Sequence, residues 1–512
     1  MSRPQASRAC AVTMRLAAVT CVTATWWAGA AGAGPTPPPL PAHFSLTGSS
    51  QPLPASFLGL SVEFNTLLTY EREGALFDRV IRLIRPEDGA PLLLRIGGKS
   101  ADHTLWEPGA GAPSSEPYTV PRPADAGVQT IGYGWLTRLA PVVARNRLDV
   151  MLDLNLAVHS PKMAVSFARA AIARLPSSSV VGLEVGNEPD LYWRQPDLDA
   201  ERVATTAGVP RDWTRDYSAI DYRRDYIAYA GALKAAIPAL PLGGPEAISD
   251  DRPYLTAVEG LGRLDAGFVT LHRYASSTCW SPSSPFYPSI PRLLSAKATT
   301  GLAQTVKGAV ALAHANHQAL RVTEANSISC GGNPGVADSF ATALWAPDAL
   351  LSMAHVGADS VSWHIRPDPV NAPFHPTPAG IRAMPELYGL AAFAQMTRPG
   401  AELLGSTLAN PAGLNLSVWA VRFNGGMRVL LIDKDARSAE VSLNLGETGS
   451  AYLRRLEAPS IGATSGVTFG GQAIGADGLW HGKVVAPAVP DRGGDVDVVL
   501  PAYSAALLSI WR

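Results

Sequence analysis

Residues 180–189 read VVGLEVGNEP, an apolar, valine-rich run that ends in Gly186-Asn187-Glu188-Pro189. Such a run predicts a strand buried on both faces, cut short by glycine and proline, with a carboxylate at its C-terminal tip. Seven further runs of strand length share this character, at 57–65, 91–98, 149–157, 241–245, 266–274, 320–326 and 359–365. Helical stretches separate them, among them 162–175, where Met163, Phe167, Ala170 and Ala171 recur at helical spacing, and 222–237. Eight apolar strands, each followed by helix, predict a (β/α)8 barrel over 56–385 rather than an open sheet.

Beyond residue 385 the pattern changes to short, often alternating segments at 414–423, 427–434, 440–445, 451–456, 483–487, 496–500 and 505–511, parted by Gly, Asn and Asp. This predicts a C-terminal antiparallel β-sandwich over 386–512, with 44–55 as an N-terminal strand joining it. Residues 34–43 form a Pro-rich spacer. Ahead of it, Arg3, Arg8 and Arg15, an uncharged apolar stretch at 16–30 and the small residues Ala31-Gly32-Ala33 predict a signal peptide over 1–33. The protein is therefore expected to be secreted or periplasmic, with no membrane association after signal removal. Loss of 1–33 removes three arginines and no acid, moving the formal balance from −1 to −4. A chain with 17% charged residues and this balance offers no field for nucleic acid, and a monomer is expected. Cys10 and Cys21 leave with the signal. Cys279 and Cys330 remain, just beyond neighbouring strands six and seven, and are expected to form a disulfide in an oxidising compartment.

Functional side chains of such a barrel sit at the C-terminal ends of its strands. Those ends carry Glu63 and Asn65, Gly97-Gly98, Asn155, Asn187-Glu188, Glu246, His272 and Tyr274, Glu324 and His364. Glu188 ends strand four and Glu324 strand seven, on opposite walls. Glycoside cleavage needs two carboxyl groups, one to protonate the leaving oxygen and one to attack or to position water. Asn187 is placed to hydrogen-bond a sugar 2-hydroxyl. Gly98-Lys99-Ser100 mimics the end of a phosphate loop, but the earlier glycine it requires falls at Leu93. His314 and His317 lie on an expected surface helix, and neither a metal nor a cofactor is expected.

This combination resembles the clan A glycosidases and, more narrowly, glycoside hydrolase family 79, the β-glucuronidase and heparanase family. Ser61-Val62-Glu63-Phe64-Asn65 resembles its first strand, Leu94-Arg95-Ile96-Gly97-Gly98 its second and Glu184-Val185-Gly186-Asn187-Glu188-Pro189 its acid/base motif. His272-Arg273-Tyr274 resembles its sixth strand, and Thr323-Glu324-Ala325-Asn326-Ser327 followed by Gly331-Gly332 its nucleophile motif. The resemblance implies a secreted retaining β-glucuronidase in which Glu188 is the acid/base and Glu324 the nucleophile, about 5–5.5 Å apart. Its substrate is a carbohydrate carrying glucuronic acid. Tyr274 is expected to hydrogen-bond Glu324, and His272 to support the pair rather than to act as acid or base. The main-chain N–H groups of Gly331 and Gly332 are expected to hold the uronate carboxylate, an ordinary loop turn being the alternative. On that expectation a bulky residue at Gly332 depresses glucuronide turnover. Where some relatives carry a tyrosine after strand eight, this chain has Trp363 and His364. Glu63, Asn65 and Gly98 are expected at the substrate, although Glu63 reads equally as a buried acid paired with Arg95. Glu246 stays outside the catalytic set. Two other readings stand beside this one: a clan A glycosidase for a neutral sugar, and an inactive carbohydrate-binding protein. Endo against exo action is left open, since the loop at 106–129 can wall off the site or frame a groove.

Overall fold

The computed structural model describes residues 37–67, 74–86, 89–110, 128–248, 252–367 and 370–512. The signal-peptide reading at 1–33 lies outside these residues, as does most of the 106–129 loop.

Eight strands form a closed parallel barrel: β2 (Leu58–Glu63), β3 (Leu92–Gly97), β4 (Leu148–Leu154), β5 (Val180–Val185), β6 (Leu242–Ala247), β7 (Phe268–Ser277), β8 (Ala319–Ser329) and β9 (Ser360–Ile365). Each is followed by a helix: α1 (Gly74–Ile84), α2 (Tyr133–Asn146), α3 (Pro161–Arg174), α4 (Ala219–Ala236), α5 (Arg252–Thr256), α6 (Lys307–Ala315), α7 (Phe340–His355) and α8 (Pro385–Ala394). Helices outside and packed side chains inside leave β2, β3 and β6 buried at every position, which is why these strands do not alternate. Local signals set the helix starts. Ser160 caps α3 by accepting from the Met163 N–H, with Pro161 in the first turn. Ser218 and Asp221 form a capping box on α4.

The β domain is one ten-stranded sheet bent into a sandwich. Its main strands are β1 (Leu40–Pro52), β10 (Glu402–Ala409), β11 (Leu416–Phe423), β12 (Gly426–Asp433), β13 (Ala439–Asn444), β14 (Ser450–Glu457), β15 (Asp495–Leu500) and β16 (Ser504–Trp511), in the order β14-β16-β12-β11-β10-β1-β13-β15. The fold line falls between β10 and β11, which pair only at Glu402–Arg422 and Leu403–Val421. The two halves then close over a core that includes Phe44, Met427, Val441, Val498 and Leu508. The other face of β11, β12 and β16 packs on the barrel through Val421, Leu430, Ile432 and Leu507. Covered on both sides, β12 is buried throughout, while β15 alternates exposed and buried. At this seam Asp348 of α7 accepts from Trp419 Nε1 at 2.8 Å and Ser417 Oγ at 3.0 Å and pairs with buried Lys434.

Several boundaries differ from the sequence reading. The N-terminal strand starts at Leu40, inside the expected spacer, because main-chain pairing with β13 carries it through Pro41. Residues 483–487 form no strand; pairing is confined to Ala488–Val489. Strand β10, ELLGSTLA, was not expected, since its pattern is weak and its antiparallel pairing with β1 supplies the order. Helix α8 extends past residue 385 to Ala394 and is buried at every residue between barrel and β domain.

Candidate active site

The barrel mouth opens into a cavity of about 700 Å³ whose walls include Glu63, Asn187, Glu188, Tyr274, Glu324 and His364. Glu188 follows Gly186, which takes a positive φ of 79° and on which a Cβ would lie 2.6 Å from Leu156 Cδ2. Only glycine permits this turn. Asp102 then ties the tips of β4 and β5 together. It accepts from the Leu156 N–H (2.8 Å), the Asn187 N–H (3.4 Å) and the Tyr192 hydroxyl (2.7 Å). Glu188, itself in a left-handed conformation, points its carboxyl to His272, with Nδ1 2.9 Å from Oε1. On β8 the register against β7 slips between Val322 and Glu324. Such a bulge re-aims a side chain, and Glu324 is 8% exposed there. Its Oε1 accepts from Arg95 Nη1 at 2.6 Å and its Oε2 from the Tyr274 hydroxyl at 2.8 Å. His272 Nδ1 lies 3.7 Å from the same Oε2. One oxygen of each glutamate and a His272 ring nitrogen fall within 4.8 Å of one another.

The two carboxyls are pushed in opposite directions. Burial raises Glu188, with the charges of Glu324 and Asp190 adding to the shift and His272 opposing it. Burial would raise Glu324 as well, but His364, His272, Arg95 and the Tyr274 hydroxyl together hold it far below the usual carboxylate range. Burial also lowers His364, so at neutral pH that ring is uncharged, and Arg95 and Tyr274 are the steady partners of Glu324. Burial and the charges of Glu324 and Glu188 keep the Tyr274 phenol well above 10, a donor at any working pH.

Arg95 is the hub beneath the site. Fully buried, it donates to Glu324, to Asn187 Oδ1 (3.0 Å) and to Ser61 Oγ (3.1 Å), and pairs with Glu184 (3.2 Å), Asp153 (3.4 Å) and Glu246. Burial, opposed by Arg95 and reinforced by Glu184, holds Asp153 and Glu246 well above the carboxylate range.

The remaining expected residues divide. Glu63 does not pair with Arg95; its Oε2 accepts from the Ser100 N–H at 2.8 Å and it faces the cavity. Gly98 is not on the cavity wall. A Cβ there would lie 2.6 Å from the Glu63 carboxyl carbon, so this glycine makes room for Glu63 rather than touching a ligand. Asn65 is also off the wall, because the chain turns away after β2. Asn187 lines the cavity, and His272 bridges the acids from below. The glycine pair is split: Gly331 lines the cavity, whereas a Cβ on Gly332 would meet Val370 Cγ2 at 2.8 Å and the Asn371 nitrogen at 2.9 Å. A bulky residue at Gly332 is thus a packing defect, whatever the loop binds. Cys279 and Cys330 are joined by a disulfide, with Cα atoms 5.8 Å apart.

Sequence reasoning passed over Arg95 as the hub, although a lone arginine in Leu92–Gly97 was a signal that a buried charge had partners. It also missed Lys99, Arg194 and Arg366, which share the cavity wall, because nothing local marks a loop cation as facing the mouth.

Residues 407–507 match the family model described as the glycosyl hydrolase family 79 C-terminal beta domain. No curated protein matches the sequence. Among solved structures, a 4-O-α-L-rhamnosyl-β-D-glucuronidase from Fusarium oxysporum is similar with a TM-score of 0.75 at 18% identity, over 91% of this chain and 100% of that one. A family 51 arabinofuranosidase from Xanthomonas axonopodis pv. citri follows at 0.64 and 16%, over 92% and 99%. A family 44 xyloglucanase from Paenibacillus polymyxa stands at 0.59 and 10%, over 92% and 100%. At these identities the likeness shows the shared fold. Among the described residues no helix is long and apolar enough to cross a membrane. With a barrel shared with solved glycosidases and the C-terminal β domain of glycosyl hydrolase family 79, the chain is a glycoside hydrolase.

Proposed function

We propose that the protein is a secreted, retaining β-glucuronidase in which Glu188 is the acid/base and Glu324 the nucleophile. The observation that carries this reading is the pair itself: one oxygen of each carboxyl lies within 4.8 Å of the other, burial raises the proton affinity of Glu188, and Arg95 and Tyr274 help hold Glu324 ionised. That spacing suits direct attack and leaves no room for a water between the second carboxylate and the anomeric carbon, as inversion needs. In the first step Glu188 gives its proton to the glycosidic oxygen while a Glu324 oxygen bonds to the anomeric carbon and the aglycone leaves as an alcohol. Glu324 loses its charge in the ester, so Glu188, left as a carboxylate by that transfer and no longer facing an anion, stays ionised until it takes a proton from water. The water oxygen then attacks the anomeric carbon and Glu324 leaves as a carboxylate.

Preference for a uronate is supported by Arg366, Lys99 and Arg194 on the cavity wall and by Gly331, which lines the same wall without a side chain. A carboxylate entering this partly dry site requires such donors. Asn187 and Glu63 supply groups for sugar hydroxyls. Kinetics on 4-nitrophenyl β-glucuronide and 4-nitrophenyl β-glucoside test the proposal. Glucuronide turnover that vanishes in Glu324→Gln and returns with azide in Glu324→Gly is expected. Preference for the glucoside would replace this reading with a neutral-sugar glycosidase, and no turnover of either would favour a binding protein.

A further inference from the structure

The loop after β7 is built in a way that cleavage of one sugar does not explain. Trp280 and Phe286 are large apolar side chains left 50% and 48% exposed at the cavity rim, with ring centroids 6.1 Å apart. Both line the main cavity. Exposed rings of this size normally fold back into the core, and a rigid pair left in water marks a surface for something to cover. The loop is fixed in place. The disulfide from Cys279, next to Trp280, ties it to the loop after Glu324. The Thr278 hydroxyl donates to the Cys330 carbonyl at 3.0 Å, the Ser277 N–H donates to the Phe286 carbonyl at 3.3 Å, and Arg292 clamps the Ser284 and Tyr287 carbonyls at 3.1 and 2.6 Å.

Behind Phe286 lies a second cavity of about 350 Å³, which shares Ile248, Arg273, Tyr274, Ala275, Ser276 and Phe286 with the first. Arg292 and Lys297 line it. Lys297 Nζ sits 4.6 Å over the Phe286 ring, and neither cation has a carboxylate partner among the described residues. Two aromatic faces for stacking, two cations without a carboxylate partner among the described residues and a second chamber adjoining the first therefore occur together.

We propose that Trp280, Phe286, Arg292 and Lys297 form an accessory subsite for an acidic sugar further along the chain whose glycosidic bond is cleaved at Glu188 and Glu324. The proposal rests on the glycosidase reading of the main cavity. Pyranose rings present an apolar C–H face to Trp280 and Phe286, and the carboxylate of a further uronate answers Arg292 and Lys297. The enzyme is then a polymer-reading glucuronidase, with loop chemistry favouring long over short substrates.

The test compares methyl β-glucuronide, whose leaving group cannot stack, with hexasaccharides of alternating β-glucuronate and N-acetylglucosamine in both hyaluronan-type and heparosan-type linkage. The full mature protein should prefer at least one hexasaccharide by kcat/KM. Trp280→Ala should reduce that preference ratio about tenfold, the loss of one good stacking contact. Lys297→Gln, which leaves the Arg292 clamp on the aromatic loop intact, should also reduce it. It should diminish the part of the preference that wild-type protein loses between about 0.05 and 0.5 M salt. Equal kcat/KM on short and long substrates, or variants that leave the ratio untouched, overturns the subsite. Calorimetric binding of the hexasaccharides to the Glu324→Gln protein, with and without Trp280→Ala, separates the two ideas. Binding that depends on Trp280 without cleavage of any glucuronide keeps the subsite and removes the glucuronidase. Cleavage of methyl β-glucuronide with no Trp280-dependent binding does the reverse.

Discussion

Replacing Tyr274 by Phe removes one hydroxyl that donates to Glu324 Oε2 at 2.8 Å. A hydrogen bond to a charged group is worth about 1.5–3 kcal/mol. In the glycosyl-enzyme the Glu324 ester is neutral and the bond is weak. As water attacks, the departing carboxylate recovers its charge and the phenol stabilises it. Loss of the hydroxyl therefore raises the barrier to breakdown of the intermediate. Arg95 still holds Oε1 at 2.6 Å and limits the damage, so a fall in kcat of about tenfold to a hundredfold is expected. Formation of the intermediate gains rather than loses, because the free Glu324 carboxylate is less stabilised and more nucleophilic. KM should drop with kcat, and kcat/KM on 4-nitrophenyl β-glucuronide should stay within a few-fold of wild type. Stopped-flow measurement of 4-nitrophenol should show a burst absent from the wild type. A kcat/KM that falls as far as kcat, with no burst, would refute the reasoning: the hydroxyl would then be reading substrate rather than supporting the nucleophile.

Arg366→Gln should lower kcat/KM for the glucuronide at least tenfold and spare the glucoside, since a charged contact to the uronate is lost; parallel loss on both would place the carboxylate elsewhere. Reduction of Cys279–Cys330 should raise KM severalfold at temperatures where far-UV circular dichroism is unchanged, because the bridge braces the cavity wall at Gly331 and Trp280; unchanged KM in the reduced protein would contradict this. Glu386, buried against Trp363 Nε1 at 3.1 Å, is raised by that burial to about 8 from 4.5. The folded state holds a proton there that the unfolded chain releases, so stability is full below pH 4.5 and is lost by about 1.4 kcal/mol per pH unit as pH rises toward 8. Glu386→Gln should flatten that slope in denaturant titrations at pH 5 to 8, and an unchanged slope would mean Glu386 does not carry it.

How much of the site was legible depended on distance along the chain. Glu188 and Glu324 could be found because each ends an apolar run and the run's own end defines the rim. The partners of Arg95 could not, because Asp153, Glu184, Glu246 and Glu324 come from four different strands and meet only when the barrel closes. The same holds for Gly98, whose neighbour Glu63 arrives from the adjacent strand.

By itself the sequence determined the barrel, the β domain and the two opposed acids, because strand burial, helix caps and chain-terminating Gly and Pro are local and periodic. Only the tertiary structure decided that Gly331 faces the cavity while Gly332 packs against Asn371, that β10 completes the sandwich with β1, and that Arg95 pairs with the Glu324 carboxylate. Those outcomes depend on which remote groups approach within a few ångströms, and the electrostatics of a buried site follow from that approach rather than from residue type.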